Sequence, residues 1–281
     1  MRTRTSALAA AALPALVAAG TVPTYSGMSV VWSADFEGDA GDSVNTDVWN
    51  IATSIDTNAE VQSYTTAAAN LQLSGGGTVQ FVPWKSNSGS WTSGRIETKT
   101  TWTPSAGAIM RVEASARTGG DASANAQGMW PAIWMLGDSI RHGTGWPQCG
   151  EIDIMEMVNG IDTAYGTIHC TAAICDPDTS AGYQGSTTTD DNWHTYSVTI
   201  DRTSNDWETE SINFMKDNTT YFTATGAEIG DEAVWGALAH SPLYMIINLA
   251  VGGSWPGDPN SSTLDGYGNM LEVEYAAVYS S

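Results

Sequence analysis

Trp193-His194-Thr195-Tyr196-Ser197-Val198-Thr199-Ile200-Asp201 places Tyr196, Val198 and Ile200 on one face and polar side chains on the other. A period of two marks a half-buried β-strand, whereas an amphipathic helix repeats its apolar residues about every 3.6 positions. The same alternation recurs over Thr78 to Val82, Arg95 to Thr101 and Leu271 to Tyr279. Clusters of Gly, Asn, Asp, Ser and Pro lie between such runs, at Ser74 to Gly77, Ser86 to Ser90 and Asp176 to Gly185. They read as the turns of antiparallel sheets. Helical character is confined to Ala227 through Leu238. Strands joined by turns, without long alternating helices, predict an all-β fold: a sandwich or jelly roll of two packed antiparallel sheets. With no linker and no internal repeat, residues 25–281 read as one domain.

Composition narrows the function. The chain has 281 residues, with 10 Lys plus Arg against 31 Asp plus Glu and a net charge of −21. That balance excludes nucleic acid and anionic membrane surfaces as partners. The hydrophobic fraction of 42% against 15% charged residues excludes a disordered chain. The wealth of Gly, Trp and Tyr suits a turn-rich protein that handles sugars. The N-terminus carries Arg2 and Arg4, an apolar run from Ala7 to Ala19 and small residues after it, the pattern of a signal peptide over residues 1–19. The run is shorter than the ~20 residues of a membrane span, and the C-terminus has no apolar tail for a lipid anchor. A secreted, extracellular, soluble monomer is expected.

Three cysteines in an oxidising compartment cannot all pair within one chain. Cys170 and Cys175 bracket a short polar stretch and can bridge locally, while Cys149 lies in an apolar setting as a free thiol. A zinc site is disfavoured, because no CxxC pair accompanies His169-Cys170. Asn218 and Asn260 head glycosylation sequons.

Two strands break the alternation. Leu243 to Val251 is continuously apolar except for Asn248, an amide that needs a partner or a ligand on a strand covered on both faces. Gly150-Glu151-Ile152-Asp153-Ile154-Met155-Glu156-Met157-Val158 sets three carboxylates in an apolar run. On a regular strand Glu151 and Asp153 share a face and Glu156 faces away. One extra residue at Ile154-Met155, a β-bulge, returns Glu156 to the carboxylate face. Side chains leaning together across that span reach roughly the 5–5.5 Å separation of a retaining glycosidase pair. The bland alternative is a charged strand edge that serves solubility. It fits poorly, since three like charges on one face repel unless a cleft uses them. Such grouping also splits acidities, leaving one carboxyl ionised and its neighbour protonated.

The stretch Gly150 to Glu156 resembles the signature of glycoside hydrolase family 16, in the form of its laminarinase or endo-1,3(4)-β-glucanase branch. The resemblance extends to Gly128 through Leu136, Gly145-Trp146-Pro147, Gly166 to His169, Trp193 to Tyr196 and Asn248 through Gly257. It implies a concanavalin-like jelly roll with the substrate cleft on its concave sheet. It also implies Glu151 as nucleophile, Glu156 as general acid/base and Asp153 as the assisting carboxylate between them. Near the ends Asp35 and Glu274 stand where the family commonly has Glu and Asp. In some members these positions help hold a structural calcium, so the two are either calcium ligands or ordinary surface acids. No cofactor is expected in catalysis.

Around this core His169 is either a cleft residue or a structural one, and Arg95 either binds sugar hydroxyls or pairs with an acid. Trp134, Trp146 and Trp255 are sugar platforms or core; Trp146 and Trp255, in Gly/Pro-rich loops, are favoured as platforms over Trp130. Gly119 to Gln127 and Cys175 to Asp191 read as variable cleft rims. The sequence thus points to a secreted endo-acting hydrolase of β-glucan, chiefly 1,3-linked, working by double displacement. A transglycosylase or mixed-linkage glucanase of the same fold and a non-catalytic lectin are its rivals. The cysteine assignment is checked by alkylating the unfolded, unreduced mature protein. One cysteine, Cys149, takes label; mapping that finds Cys149 in a bridge overturns the assignment.

Overall fold

The alternation over Trp193 to Asp201 becomes the strand His194–Asp201, with Tyr196, Val198 and Ile200 buried. The computed structural model describes residues 22–55, 57–204 and 206–281, so the signal-peptide reading of residues 1–19 lies outside the described residues. His194–Asp201 sits inside an antiparallel sheet that runs in space Thr219–Thr225, Ser211–Lys216, His194–Asp201, Ile109–Thr118, Leu271–Ser280, Val79–Phe81, Leu71–Leu73. The strand Ser29–Asp35 pairs with the far half of Leu271–Ser280. A second antiparallel sheet runs Tyr183–Thr188, Thr163–His169, Glu151–Glu156, Met129–Gly137, Leu243–Val251, Arg95–Thr98, Trp49–Ile51. The two faces that meet form one apolar cluster. Ile133, Met135, Ile152, Ile154 and Leu249 come from the second sheet, and Val112, Val198, Phe214 and Val278 from the first. At about 1.5–3 kcal/mol for each fully buried side chain, this layer is what fixes the sheets against each other.

Helical structure is limited as expected, but it is broken in two. Gly230 adopts the left-handed conformation that ends Gly226–Ile229, and Asp231 caps the next helix, Glu232–Ala239, by accepting from the N–H groups of Ala233 and Val234. This second helix braces the carboxylate strand. Gly150 has φ +79°, and a Cβ there would stand 2.9 Å from the Ala237 carbonyl oxygen, so the residue that leads into Glu151 must be glycine. The stretch Cys175 to Asp191 differs from its reading as a rim loop. Its second half forms the strand Tyr183–Thr188, which pairs with Thr163–His169 and ends the second sheet. The alternation there is polar throughout, and so gave no apolar signal. Cys170 and Cys175 are bridged directly after His169, and Cys149 is a buried free thiol that burial pushes up to about 11.

The outer face of the first sheet carries a buried charge. Glu113 is wholly buried and accepts from Arg111 Nε at 2.6 Å and from the hydroxyls of Tyr25, Tyr275 and Tyr279 at 2.8, 3.1 and 3.1 Å. Val22, Tyr25 and Met28 pack over Tyr275, Ala277 and Tyr279, so the segment before the first strand roofs this network. Arg111 is completed by the Asn218 side-chain oxygen at 2.8 Å. Removing one partner of such a pair leaves the other charge buried and unmatched. Glu113→Ala is therefore expected to cost about 3–5 kcal/mol in urea unfolding; a loss below about 1 kcal/mol, typical of an exposed pair, contradicts this account.

Candidate active site

The predicted bulge is present. Trp134 pairs with Asp153 and Ile133 with Met155, while on the other side Thr167 pairs with Asp153 and Tyr165 with Glu156. One residue of Glu151–Glu156 is therefore surplus to both neighbours, and Glu156 rejoins the face of Glu151 and Asp153. Ile152, Ile154 and Met155 go to the core. The register then builds a grid. Glu151 lies between Leu136 and His169, Asp153 between Trp134 and Thr167, and Glu156 between Ala132 and Tyr165. A cleft of about 460 Å³ crosses this face, lined by the three carboxylates, Trp130, Trp134, Trp146, Arg95 and Asn248 among others.

Each acid has a distinct setting. Glu151 accepts from Trp146 Nε1 at 3.1 Å, across the loop that precedes its strand. Glu156 accepts from Trp130 Nε1 at 2.9 Å and from the Thr167 hydroxyl at 3.4 Å. Asp153 is buried, and its Oδ2 has no hydrogen-bond partner. Burial and the nearby Glu156 push Glu151 up to about 8, burial pushes Glu156 up to about 7, and burial with both glutamates raises Asp153 well above the usual carboxylate range. The two glutamates are thus brought toward neutrality, as acid–base chemistry needs, with Asp153 raised between them. The order of the two glutamates runs against the roles implied by resemblance, since the implied nucleophile is the harder to ionise in the open cleft. The roles accordingly rest on the resemblance and not on acidity.

The remaining candidates fall into place unevenly. His169 Nε2 is 3.4 Å from Asp153 Oδ2 and 3.9 Å from Glu151 Oε1, and burial lowers the imidazole to about 4, so it meets the acids as a neutral ring. Asn248 finds its partners in Trp134 Nε1, which donates at 2.7 Å, and the Tyr64 hydroxyl at 3.2 Å. Arg95 has the acid partner of one reading, Glu97 at 2.7 Å, and it also lies over the Trp134 ring at 5.0 Å and lines the cleft. Trp146 and Trp255 are exposed. Trp255 stands edge-on to Trp130 and Tyr165 and is not among the residues that line the cleft, whereas Trp146 is. Asp35 is an exposed residue at the end of its strand, and Glu274 already accepts from Ser115 at 2.9 Å. Among the described residues no third His, Cys, Asp or Glu gathers with those two. Side chains there supply a small part of the roughly six to eight oxygens calcium takes, so the pair is not by itself a calcium cage.

Trp130, less favoured as a platform than the loop tryptophans, is nonetheless a cleft residue. It lines the cleft and holds Glu156. The signal was available: Trp130, Ala132, Trp134 and Leu136 alternate on one strand and all face the cleft. Arg141, stacked 3.5 Å over the Tyr244 ring, and the wall formed by Thr57, Asn58 and Glu60 had no such signal, because the first is brought in by the 3-10 helix Asp138–His142 and the others by the segment between two strands.

Comparison with known proteins bears on this geometry. The family model described as XgeA-like, catalytic GH16 domain, matches residues 85–232. A protein named beta-glucanase from Rhodothermus marinus is 32% identical over 235 residues, 79% of this chain and 74% of that protein. Glucan endo-1,3-beta-glucosidase A1 from Niallia circulans is 29% identical over 92% of this chain, which spans 39% of its length. The crystal structure of endo-1,3-beta-glucanase from Streptomyces sioyaensis superposes with a TM-score of 0.86 at 35% identity, covering 93% of this chain and 99% of that one.

The raised acidities have a sign for stability. Between the ordinary value of 4.5 and about 8 the folded chain keeps on Glu151 a proton that the unfolded chain has lost, so stability falls as pH rises through this window. Glu151→Gln removes the penalty. The variant should gain on the order of 1–3 kcal/mol at pH 8 and almost nothing at pH 4. Equal melting shifts at the two pH values, or a loss at pH 8, refute this.

Proposed function

Because the chain belongs to glycoside hydrolase family 16, we propose that it is a secreted, monomeric endo-acting hydrolase of β-glucan, chiefly 1,3-linked, that retains anomeric configuration. The observation that carries the mechanism is the bulged strand Glu151–Glu156, which gathers three carboxyls on the floor of one cleft. In the first step the Glu151 carboxylate attacks C1 of the sugar as the C1–O bond to the leaving chain breaks. The Glu156 carboxyl gives its proton to the departing oxygen. In the second, Glu156 takes a proton from water, the water oxygen bonds to C1, and the ester to Glu151 breaks. Two inversions at C1 restore the β configuration.

The surroundings support these roles. The Trp146 N–H favours the charged form of Glu151, and the Trp130 N–H favours that of Glu156 once its proton has gone. Asp153, buried between them, holds a proton or a charge as its neighbours require. Indole faces at Trp134 and Trp146 suit the C–H faces of pyranose rings, and the chain's negative charge suits a neutral polysaccharide. A pure binder has no use for three grouped, mutually repelling acids, two of them buried, so the lectin alternative is the weaker one. A calcium at Asp35 and Glu274 would be structural, and no step passes through it.

Proton NMR of the earliest products from laminarin should show the β-anomer first. Glu151→Gly should lose nearly all hydrolysis and, with azide, form an α-glycosyl azide. An α-anomer as first product from native enzyme excludes Glu151 as nucleophile. Products longer than the starting oligosaccharide identify a transglycosylase, and the ratio of rates on laminarin and barley glucan fixes the linkage preference.

A further inference from the structure

The floor of the cleft brings together donor atoms of a second chemistry. Glu151 and His169 are cross-strand neighbours, and Asp153 is two residues from Glu151 on the same face. One donor atom from each of the three lies within 4.8 Å of the other two. The 3.4 Å from His169 Nε2 to Asp153 Oδ2 is the donor separation of a tetrahedral centre at the ~2.0–2.2 Å ligand distances of zinc, and Glu151 Oε1, 3.9 Å from the same nitrogen, reaches that geometry by closing in a few tenths of an ångström. The donors stand on two paired strands and not on loops, so the set is held by the sheet ladder.

A second observation points to a ligand. Asp153 is 3% exposed, and its Oδ2, the atom nearest His169 Nε2, is buried without a hydrogen-bond partner. Buried acceptors in folded proteins are ordinarily satisfied, and a cation among the three side chains would satisfy this one. We propose that Glu151, Asp153 and His169 form a binding site for a first-row divalent cation of the zinc type, whose occupation inhibits the enzyme by engaging the carboxylate of Glu151.

One imidazole with two carboxylates is a donor set for zinc or its neighbours in the series, with a fourth position open to the cleft and to water. Calcium and magnesium are disfavoured, because they take oxygen donors and more of them. The cation is no part of turnover. It holds the oxygen that must attack C1, so cation and glucan exclude each other. The inhibitory consequence rests on the function proposed above; the site itself does not.

Zinc binding is measured calorimetrically on the full mature protein, and cobalt(II) is used as a coloured probe of coordination. One equivalent should bind, and cobalt should give the visible absorption of a four-coordinate site. His169→Gln should weaken binding by at least about tenfold. Glu151→Gln, expected above to be no less stable than the parent, should weaken it as well and serves if the His169 variant misfolds. His194, held at the surface between Asp190 and Asp217 at 2.9 and 2.7 Å, is the rival ligand, and His194→Gln should leave the affinity unchanged. Zinc should raise KM for laminarin and leave kcat unaltered. No saturable binding, binding lost with His194 and retained without His169, or inhibition that glucan does not relieve each overturns the proposal. Hydrolysis without cobalt binding removes the cation site alone; His169-dependent cobalt binding in a protein that cleaves no glucan removes the functional proposal and keeps the site.

Discussion

The surplus residue at Ile154-Met155 is the constraint around which the cleft is organised. A regular strand would send Glu156 into the core, where an unpaired carboxyl is prohibitively costly, and would expose an apolar neighbour instead. The bulge corrects the face at one point and leaves the pairing on either side intact. It also permits two consecutive apolar residues, Ile154 and Met155, to be buried together. The grid that follows is therefore determined by register: Trp134 and Thr167 flank Asp153 because no other pairing satisfies both adjoining strands.

Such a cleft is unstable in isolation. Two buried acids and a half-buried third, faced across the cleft by Arg95 and Arg141, work against folding at neutral pH. The compensation comes from elsewhere. The apolar layer between the sheets stabilises the scaffold in bulk, and the opposite sheet shows what a balanced buried charge looks like, with Glu113 matched by Arg111 and three tyrosine hydroxyls. The contrast between Glu113 and Asp153, both hidden but oppositely provided for, separates a carboxyl matched within the fold from one left without a hydrogen-bond partner in the cleft.

Legibility in the sequence followed the same division. The sheets were visible because Tyr196, Val198 and Ile200 obey the period of the strand, and the bulge was visible because three acids in an apolar run make sense only on one face. The strand Tyr183–Thr188 was not, because its side chains are polar on both faces and its pairing is a tertiary fact. The helical segment was seen, and its interruption at Gly230-Asp231 was not, although glycine followed by a capping residue is a local signal. Trp130 is legible from its strand and not from a Gly/Pro-rich loop, because the alternation with Ala132, Trp134 and Leu136 presents it to the cleft. Arg141 over Tyr244 lay beyond any local pattern, since a residue of the 3-10 helix Asp138–His142 meets a strand residue far away in the chain.

The roof over Glu113 has a bearing on where this protein begins as a physical object. Its first strand starts at Ser29, yet Tyr25 donates to the buried carboxylate and Val22 packs beside it. The cooperative unit therefore reaches upstream of its first regular element. A gene trimmed at the first strand would encode every catalytic side chain and still yield a leaky sandwich, with water admitted to a charge that the fold keeps dry. Any peptidase cut would be under the same restriction: one after Tyr25 would release a product that is complete in its chemistry and defective in its seal.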